Sequence, residues 1–293
     1  MQLLLGLTLL ASSASVAYAT ASSRTRGCLV SDDGIREPTV SAVELSSSDL
    51  PSSFEVDVNF HIASTEALEG VITDEIVAAQ WDVLYENYLK LNITLRLNST
   101  ERVVDNKTGS AFLVYEGPDA GWVYYEEERN EYLRSTRKGD YDALNLYFFA
   151  PYSPGATGYC QFPTVTPSPD SLTFGIDSCQ ISALTMPGVP IEADPFEEWN
   201  LGHLAVHEAG HWFGLNHTFV GGCSDTGDYV ADTPAQLTEV YGCPASSDTC
   251  PDSPGLDPIH NFMGYTDDNC TSEFTAGQKE RIFQTFFGFR RQI

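Results

Sequence analysis

Apolar and polar residues alternate over 54–62. Phe54, Val56, Val58, Phe60 and Ile62 fall on one side, Glu55, Asp57, Asn59 and His61 on the other. A period of two predicts a half-buried strand, with His61 on its solvent side and the folded domain starting here. The period then lengthens. Thr73 is placed to cap a helix over 73–91 whose stripe is Val77, Trp81, Leu84, Tyr88 and Leu91, with Asp74 and Glu75 in its first turn. Alternation returns at Ile93–Leu97 as a second strand. Residues 105–121 read as loop around a short apolar run, and Glu126–Arg137 as a charged, largely solvated helix. Ala143–Ala150 is nearly all apolar, the mark of a buried strand. Pro151, Pro154, Gly155 and Gly158 then break the chain before a short edge strand at Tyr159–Phe162. Residues 163–195 carry six prolines and read as loop. Helices are predicted over Glu197–Leu215, packed by Trp212, Phe213 and Leu215, and from Thr275 to the end. In the second, Thr275 and Gln278 form a capping box, Ile282, Phe283, Phe286 and Phe287 are buried, and Arg290 and Arg291 lie near the C-terminus of the helix dipole.

The ends and the composition change this picture in three ways. Leu3, Leu4, Leu5, Leu7, Leu9 and Leu10 form a short apolar core ahead of Ala17-Tyr18-Ala19, so residues 1–19 read as a removable secretory signal and the protein as secreted. No later stretch is long enough to span a bilayer. Residues 20–53 are rich in Ser, Thr, Asp and Pro and read as a short pro-segment or flexible lead-in, leaving 54–293 as the folded domain. The 41 acidic against 15 basic residues give a formal charge of −26. That balance argues against nucleic acid or an anionic membrane as partner and suits a soluble secreted protein, which is expected to be a monomer. Secretion permits disulfides among the seven cysteines, of which six can pair and one is left over, with many connectivities open. Asn-x-Ser/Thr sequons stand at Asn92, Asn98, Asn106, Asn216 and Asn269, and the cluster over 92–108 reads as exposed and glycan-tolerant.

The chemistry concentrates in His207-Glu208-Ala209-Gly210-His211-Trp212-Phe213-Gly214-Leu215-Asn216-His217. Residues four apart share a helix face, so His207 and His211 can bind one ion. Gly214 can end the helix and turn the chain so that His217 joins as a third ligand. Three nitrogens leave the fourth tetrahedral position of a zinc ion open to water, and Glu208 is placed to act on that water. His203, one turn earlier, reads as a residue behind the site. Asp225, Asp228, Asp232 and Thr233 offer oxygens suited to calcium.

The extended histidine motif, with Asn261-Phe262-Met263-Gly264-Tyr265 downstream, resembles the metzincin clan. Asn200-Leu201-Gly202, His217-Thr218-Phe219 and Gly227-Asp228-Tyr229-Val230-Ala231-Asp232-Thr233-Pro234 narrow the resemblance to the pappalysin (cytophagalysin) metalloproteases, above all small secreted fungal and microbial members. It is densest over 196–270 and thinner over 54–195. It implies an α/β fold: a metzincin-like zinc protease domain with a twisted mixed sheet, a backing helix, a zinc-binding helix and an irregular disulfide-linked C-terminal subdomain. It implies a zinc endopeptidase acting on proteins or peptides, with Glu208 as general base and Tyr265 aiding at the oxyanion. Met263 would form a floor beneath the metal, and Asp268 would shape a pocket favouring Lys or Arg after the cut bond. The family also carries calcium near the Asp225–Thr233 stretch. The implied bridges are Cys223–Cys250 and Cys243–Cys270, with Cys160–Cys179 as the remaining pair. Cys28, beside Arg26, is then the odd thiol and resembles a cysteine switch of a zymogen. The competing class is a secreted zinc-binding module without catalysis, which the presence of Glu208 disfavours. Hydrolysis of a non-peptide bond has no supporting feature beyond the shared metal chemistry.

Overall fold

A computed structural model describes Leu45 and residues 50–152, 157–190 and 197–292. The leader 1–19, Cys28 and most of the lead-in lie outside the described residues.

Strand β1 (Phe54–Ser64) starts at the first apolar residue of the alternating run. Helix α1 (Asp74–Leu89) follows, with the Thr73 hydroxyl accepting a hydrogen bond from Ile76 N at 3.3 Å. Strand β2 (Ile93–Val104) pairs parallel to β1. It runs seven residues past the predicted end, because the alternating stretch covers only its buried foot. Helix α2 (Asn106–Gly109) and a small hairpin, β3 (Leu113–Tyr115) with β4 (Trp122–Tyr124), occupy the predicted loop. Helix α3 (Glu126–Thr136) leads into β5 (Leu144–Ala150), every residue of which is buried. Then come β6 (Gly158–Cys160), α4 (Leu172–Gly175) and β7 (Cys179–Ser182). Helix α5 (His203–Trp212) and helix α6 (Ala276–Thr285) complete the regular structure, α6 continuing as one wider π turn over Phe286–Arg290.

The five strands lie in the order β2-β1-β5-β7-β6. All neighbours are parallel except β6, which runs antiparallel to β7 at the outer edge. β7 is absent from the sequence expectation. Its four residues, Cys-Gln-Ile-Ser, are too few to show a period and sit in a proline-rich stretch.

One face of the sheet carries the main core. Leu84 and Tyr88 of α1 are fully buried against it, and the Tyr88 hydroxyl donates to Val206 O of α5 at 3.0 Å. The other face is covered too. Leu133 of α3 packs with Ala63, Tyr147 and Phe149. That second layer overturns the solvent-side reading of β1. Asn59 and His61 are buried, and His61 stacks on Tyr147 at 4.2 Å and bonds Asn145 Oδ1 at 3.0 Å. Burial holds the His61 imidazole below its ordinary pKa range.

The two ends of the domain meet. Phe54 packs on Phe286 at 4.4 Å and on Phe283 at 4.7 Å between ring centroids. Arg290, expected as a charge near a helix terminus, is also a buried anchor. Its guanidinium holds Asp177 at 3.0 and 3.2 Å, donates to Trp212 O at 2.9 Å and lies 3.6 Å over the Trp212 ring. Trp212 Nε1 donates to the same Asp177 carboxylate at 3.2 Å. The last turn of the chain is thereby tied to the last residue of α5.

Candidate metal centre and catalytic cleft

Helix α5 begins after Gly202, whose φ of +83° is left-handed backbone that glycine adopts without a steric penalty. Its first amides are met from afar: Asp268 Oδ2 accepts from Leu201 N at 2.9 Å and His203 N at 3.2 Å. A carboxylate at this end also complements the helix dipole. At the other end Gly214 takes φ +96°, and a Cβ there would meet Thr285 Cγ2 at 2.5 Å. The helix stops and the chain doubles back, as the motif requires.

That reversal brings three imidazoles together. The Nε2 atoms of His207, His211 and His217 are separated by 3.1 Å (207–211), 3.2 Å (207–217) and 3.0 Å (211–217), and all three residues are buried. Nitrogens about 2.0–2.1 Å from a tetrahedral zinc ion stand about 3.3 Å apart. The observed triangle is close to that size. His207 Nδ1 lies 2.6 Å from Phe262 O and His211 Nδ1 lies 2.8 Å from Leu215 O. A carbonyl only accepts, so both Nδ1 atoms carry the proton and both Nε2 lone pairs face the centre. Among the described residues these histidines are the one group of three or more His, Cys, Asp or Glu side chains gathered closely enough for a metal ion. His203 stands outside it, with Nδ1 2.8 Å from Thr271 Oγ1.

Glu208 follows the first ligand and is fully buried. Strand β6 presses on it: a Cβ built on Gly158 would fall on the carboxylate, 2.6 Å from Cδ and 2.8 Å from Cγ. Gly158 is thus a site residue; the sequence shows it as a chain breaker and, with Tyr159, Phe162 and Pro163, as part of the family resemblance, but not as a neighbour of Glu208. Met263 is buried beneath α5, its Sδ 2.5 Å from where a Cβ of Gly210 would be. The turn that carries Met263 is pinned to α6 by a reciprocal amide pair, Asn261 Nδ2 to Gln278 Oε1 at 2.8 Å and Gln278 Nε2 to Asn261 Oδ1 at 3.0 Å. Gln278 therefore does more than close the α6 capping box. The Tyr265 ring lies 4.9 Å from that of His217, and Phe219 stacks on His217 at 4.8 Å.

The remaining expected residues separate. Cys223–Cys250, Cys243–Cys270 and Cys160–Cys179 are bonded, the first two spanning overlapping stretches of chain. Asp268 is buried, with one oxygen committed to α5 and the other, Oδ1, making no hydrogen bond. The four oxygens expected to share calcium do not form one carboxylate cluster. Asp232 caps α6, accepting from Thr275 Oγ1 at 2.7 Å and Gly277 N at 2.8 Å, and Asp225 is exposed. Asp228 and Thr233 adjoin: their side chains meet below the surface, with Asp228 Oδ2 and Thr233 Oγ1 both buried. Burial pushes the Asp228 carboxyl up to about 7.

The profile of peptidase family M43, described as pregnancy-associated plasma protein-A, matches residues 156–286. An extracellular metalloprotease of Pyricularia oryzae is 41% identical over 241 residues, 82% of this chain and 77% of its own. One of Colletotrichum graminicola is 42% identical over 237 residues, 80% of this chain and 77% of its own. Among solved structures, mature mirolysin of Tannerella forsythia, in complex with a cleaved peptide, superposes with a TM-score of 0.62 at 23% identity. That match covers 82% of this chain and 95% of mirolysin and is a likeness of fold. No helix among the described residues is long and apolar enough to cross a membrane.

Proposed function

The chain belongs to the pregnancy-associated plasma protein-A family of peptidases and is an extracellular metalloendopeptidase, and on that premise we propose that it cuts internal peptide bonds of proteins with zinc as its metal and Glu208 as general base. The observation that carries this reading is the triangle of Nε2 atoms with a buried glutamate on the adjoining helix position. When bound, zinc supplies a Lewis acid that lowers the pKa of a water in its open position and polarises a carbonyl.

The chain's own residues do the rest. His207, His211 and His217 hold the ion, two of them locked in orientation by carbonyl partners. An extended substrate adds to the outer edge of β6, where main-chain groups of an edge strand are available for pairing. Glu208, in a pocket closed by α5 and β6, takes a proton from the attacking water and returns it to the leaving amine. The Tyr265 hydroxyl stabilises the oxyanion. Met263 closes the floor, so water reaches the metal from the cleft side.

Two finer assignments belong to the same reading. Asp268 Oδ1 receives a Lys or Arg side chain on the leaving-group side of the cut bond, by a charge-assisted pair. Asp228 and Thr233 hold a calcium ion, which gives the buried carboxylate a counter-charge. Glu208→Gln tests the central claim. The variant should keep its metal and fold yet release no fragments from casein or gelatin. Equal fragment release by variant and wild type would refute the assignment.

A further inference from the structure

The sheet has two outer edges with opposite demands. β6 must stay open if substrate is to pair with it. β2, at the far side, has no such task, and from Arg96 onward it is exposed except at the half-buried Ser99 and Val103, with Leu97 at 36% and Val104 at 44%. A strand edge that pairs with no other strand among the described residues is a template for another extended chain, and a protease works among such chains. Four exposed ion pairs (Arg96 to Glu55 and to Asp57, Arg102 to Asp74, Lys138 to Glu101) decorate this edge. Exposed pairs of this type add little.

We propose that Asn92, Asn98 and Asn106 are N-glycosylated and that their oligosaccharides shield the β2 edge, leaving β6 as the open edge of the sheet. All three are exposed and lie in Asn-x-Ser/Thr triplets along one strand. Asn92 occupies the turn into β2, with φ of +64°. Asn98 is the bulged residue: Val58 pairs with Leu97 and Asn59 with Ser99, which leaves Asn98 without a partner on β1. The Asn98 side chain meets the Asp57 carboxylate of β1, a hydrogen bond that the one N–H left on a glycosylated amide can keep. Asn106 stands just past the far end of β2. Its Oδ1 accepts from Glu66 N at 3.0 Å, so its Nδ2 is the end left for a sugar. A glycosylated amide keeps one N–H, so the 3.3 Å bond from Asn92 Nδ2 to Ser52 O survives modification. Asn216 is the contrast. It is buried, its Nδ2 donates to Asp228 O at 3.2 Å, and the next residue is the metal ligand His217, so it cannot carry a sugar in this fold.

The donor is an oligosaccharide on a polyprenyl pyrophosphate, met in the secretory pathway. Asparagine Nδ2 attacks the sugar C1, the N–C1 bond forms, and the C1–O bond to pyrophosphate breaks. The pyrophosphate leaves with the electron pair, and the transferase takes one Nδ2 proton.

The test uses the full chain secreted from a glycosylating host. Peptide mapping after amidase release in heavy-oxygen water should mark Asn92, Asn98 and Asn106 as converted to labelled aspartate, with Asn216 unmarked. The folded enzyme is then trimmed with an endoglycosidase that leaves one sugar per site. Trimming should leave casein cleavage per mole unchanged and raise the weight-average mass in light scattering from monomer towards dimer as concentration increases. Bare asparagine at any of the three positions overturns the proposal. So does a trimmed enzyme that stays monomeric wherever the untrimmed enzyme does.

Discussion

Gly158→Ala isolates the contact between β6 and the proposed base. The added methyl would fall on the Glu208 carboxylate, 2.6 Å from Cδ, where ordinary carbon contacts need at least about 3.5 Å. Strand β6 cannot retreat freely. It is paired to β7 from Gly158 to Cys160, bridged to it by Cys160–Cys179 and held by Ser182 N to Thr157 O at 2.9 Å. Helix α5 is fixed at both ends by Asp268 and the Asp177–Arg290 pair. The glutamate side chain is the soft partner, and relief requires a shift of about 1 Å. A misplacement of that size costs about 10²-fold in rate, or about 2.7 kcal/mol in the barrier. The expected result is a kcat on a fluorogenic peptide lower by about 10²-fold, with KM within about threefold, metal content unchanged and Tm within a few degrees. In a Glu208→Gln background the same substitution should cost almost nothing further, because both changes act on one group. A kcat within about twofold of wild type would refute the reasoning, as would loss of metal or an additive effect in the double variant.

Arg290→Leu leaves Asp177 buried beside Trp212 with Arg137 at 3.6 Å as its remaining cation. Breaking one side of a buried pair costs about 3–5 kcal/mol, so calorimetry should show Tm falling by about 10 °C, with partial recovery in the Arg290→Leu/Asp177→Leu double variant. Asp228 titrates near 7 in the fold and near 3.8 when unfolded. The folded state therefore binds its proton more tightly, and this group's contribution to stability is lost as pH rises through that window, by at most about 4 kcal/mol. With EGTA present, Tm should drop more between pH 4 and pH 7 for wild type than for Asp228→Asn, and calcium should restore it at neutral pH; equal profiles would remove the assigned calcium. Phenanthroline should abolish casein cleavage and added zinc restore it, while His217→Ala should be purified without metal. Asp268→Asn should weaken the α5 cap by about 1 kcal/mol and flatten any preference for Lys or Arg in a peptide-library digest; an unchanged preference would clear Asp268 of that role.

The histidine motif was legible because each of its letters has a local mechanical reason: helix spacing for His207 and His211, a left-handed turn at Gly214, and return of the chain at His217. The strands β1 and β5 and the helices α1 and α6 were legible by periodicity. What the sequence hid depends on partners far along the chain. His61 sits on the polar side of an alternating strand, and only α3 covering that face buries it. β7 is short and gains its definition from β5 and β6. Asp268 reads as a pocket carboxylate, yet one of its oxygens serves amides 65 and 67 positions away. Asp232 likewise serves α6 rather than a cation cluster. Gly158 matters through an absent side chain opposite Glu208, and no local pattern reports that.

The clasp of Phe54 by Phe283 and Phe286, with Gln278 and Arg290 gripping the elements around the metal, has a consequence for synthesis. Residues 275–290 brace a catalytic apparatus whose first strand leaves the ribosome long before them. A nascent polypeptide therefore lacks a braced cutting site until this segment has emerged, and a molecule stopped before Thr275 should digest no casein. Shortened copies that lack this brace stay inert inside the cell that makes them.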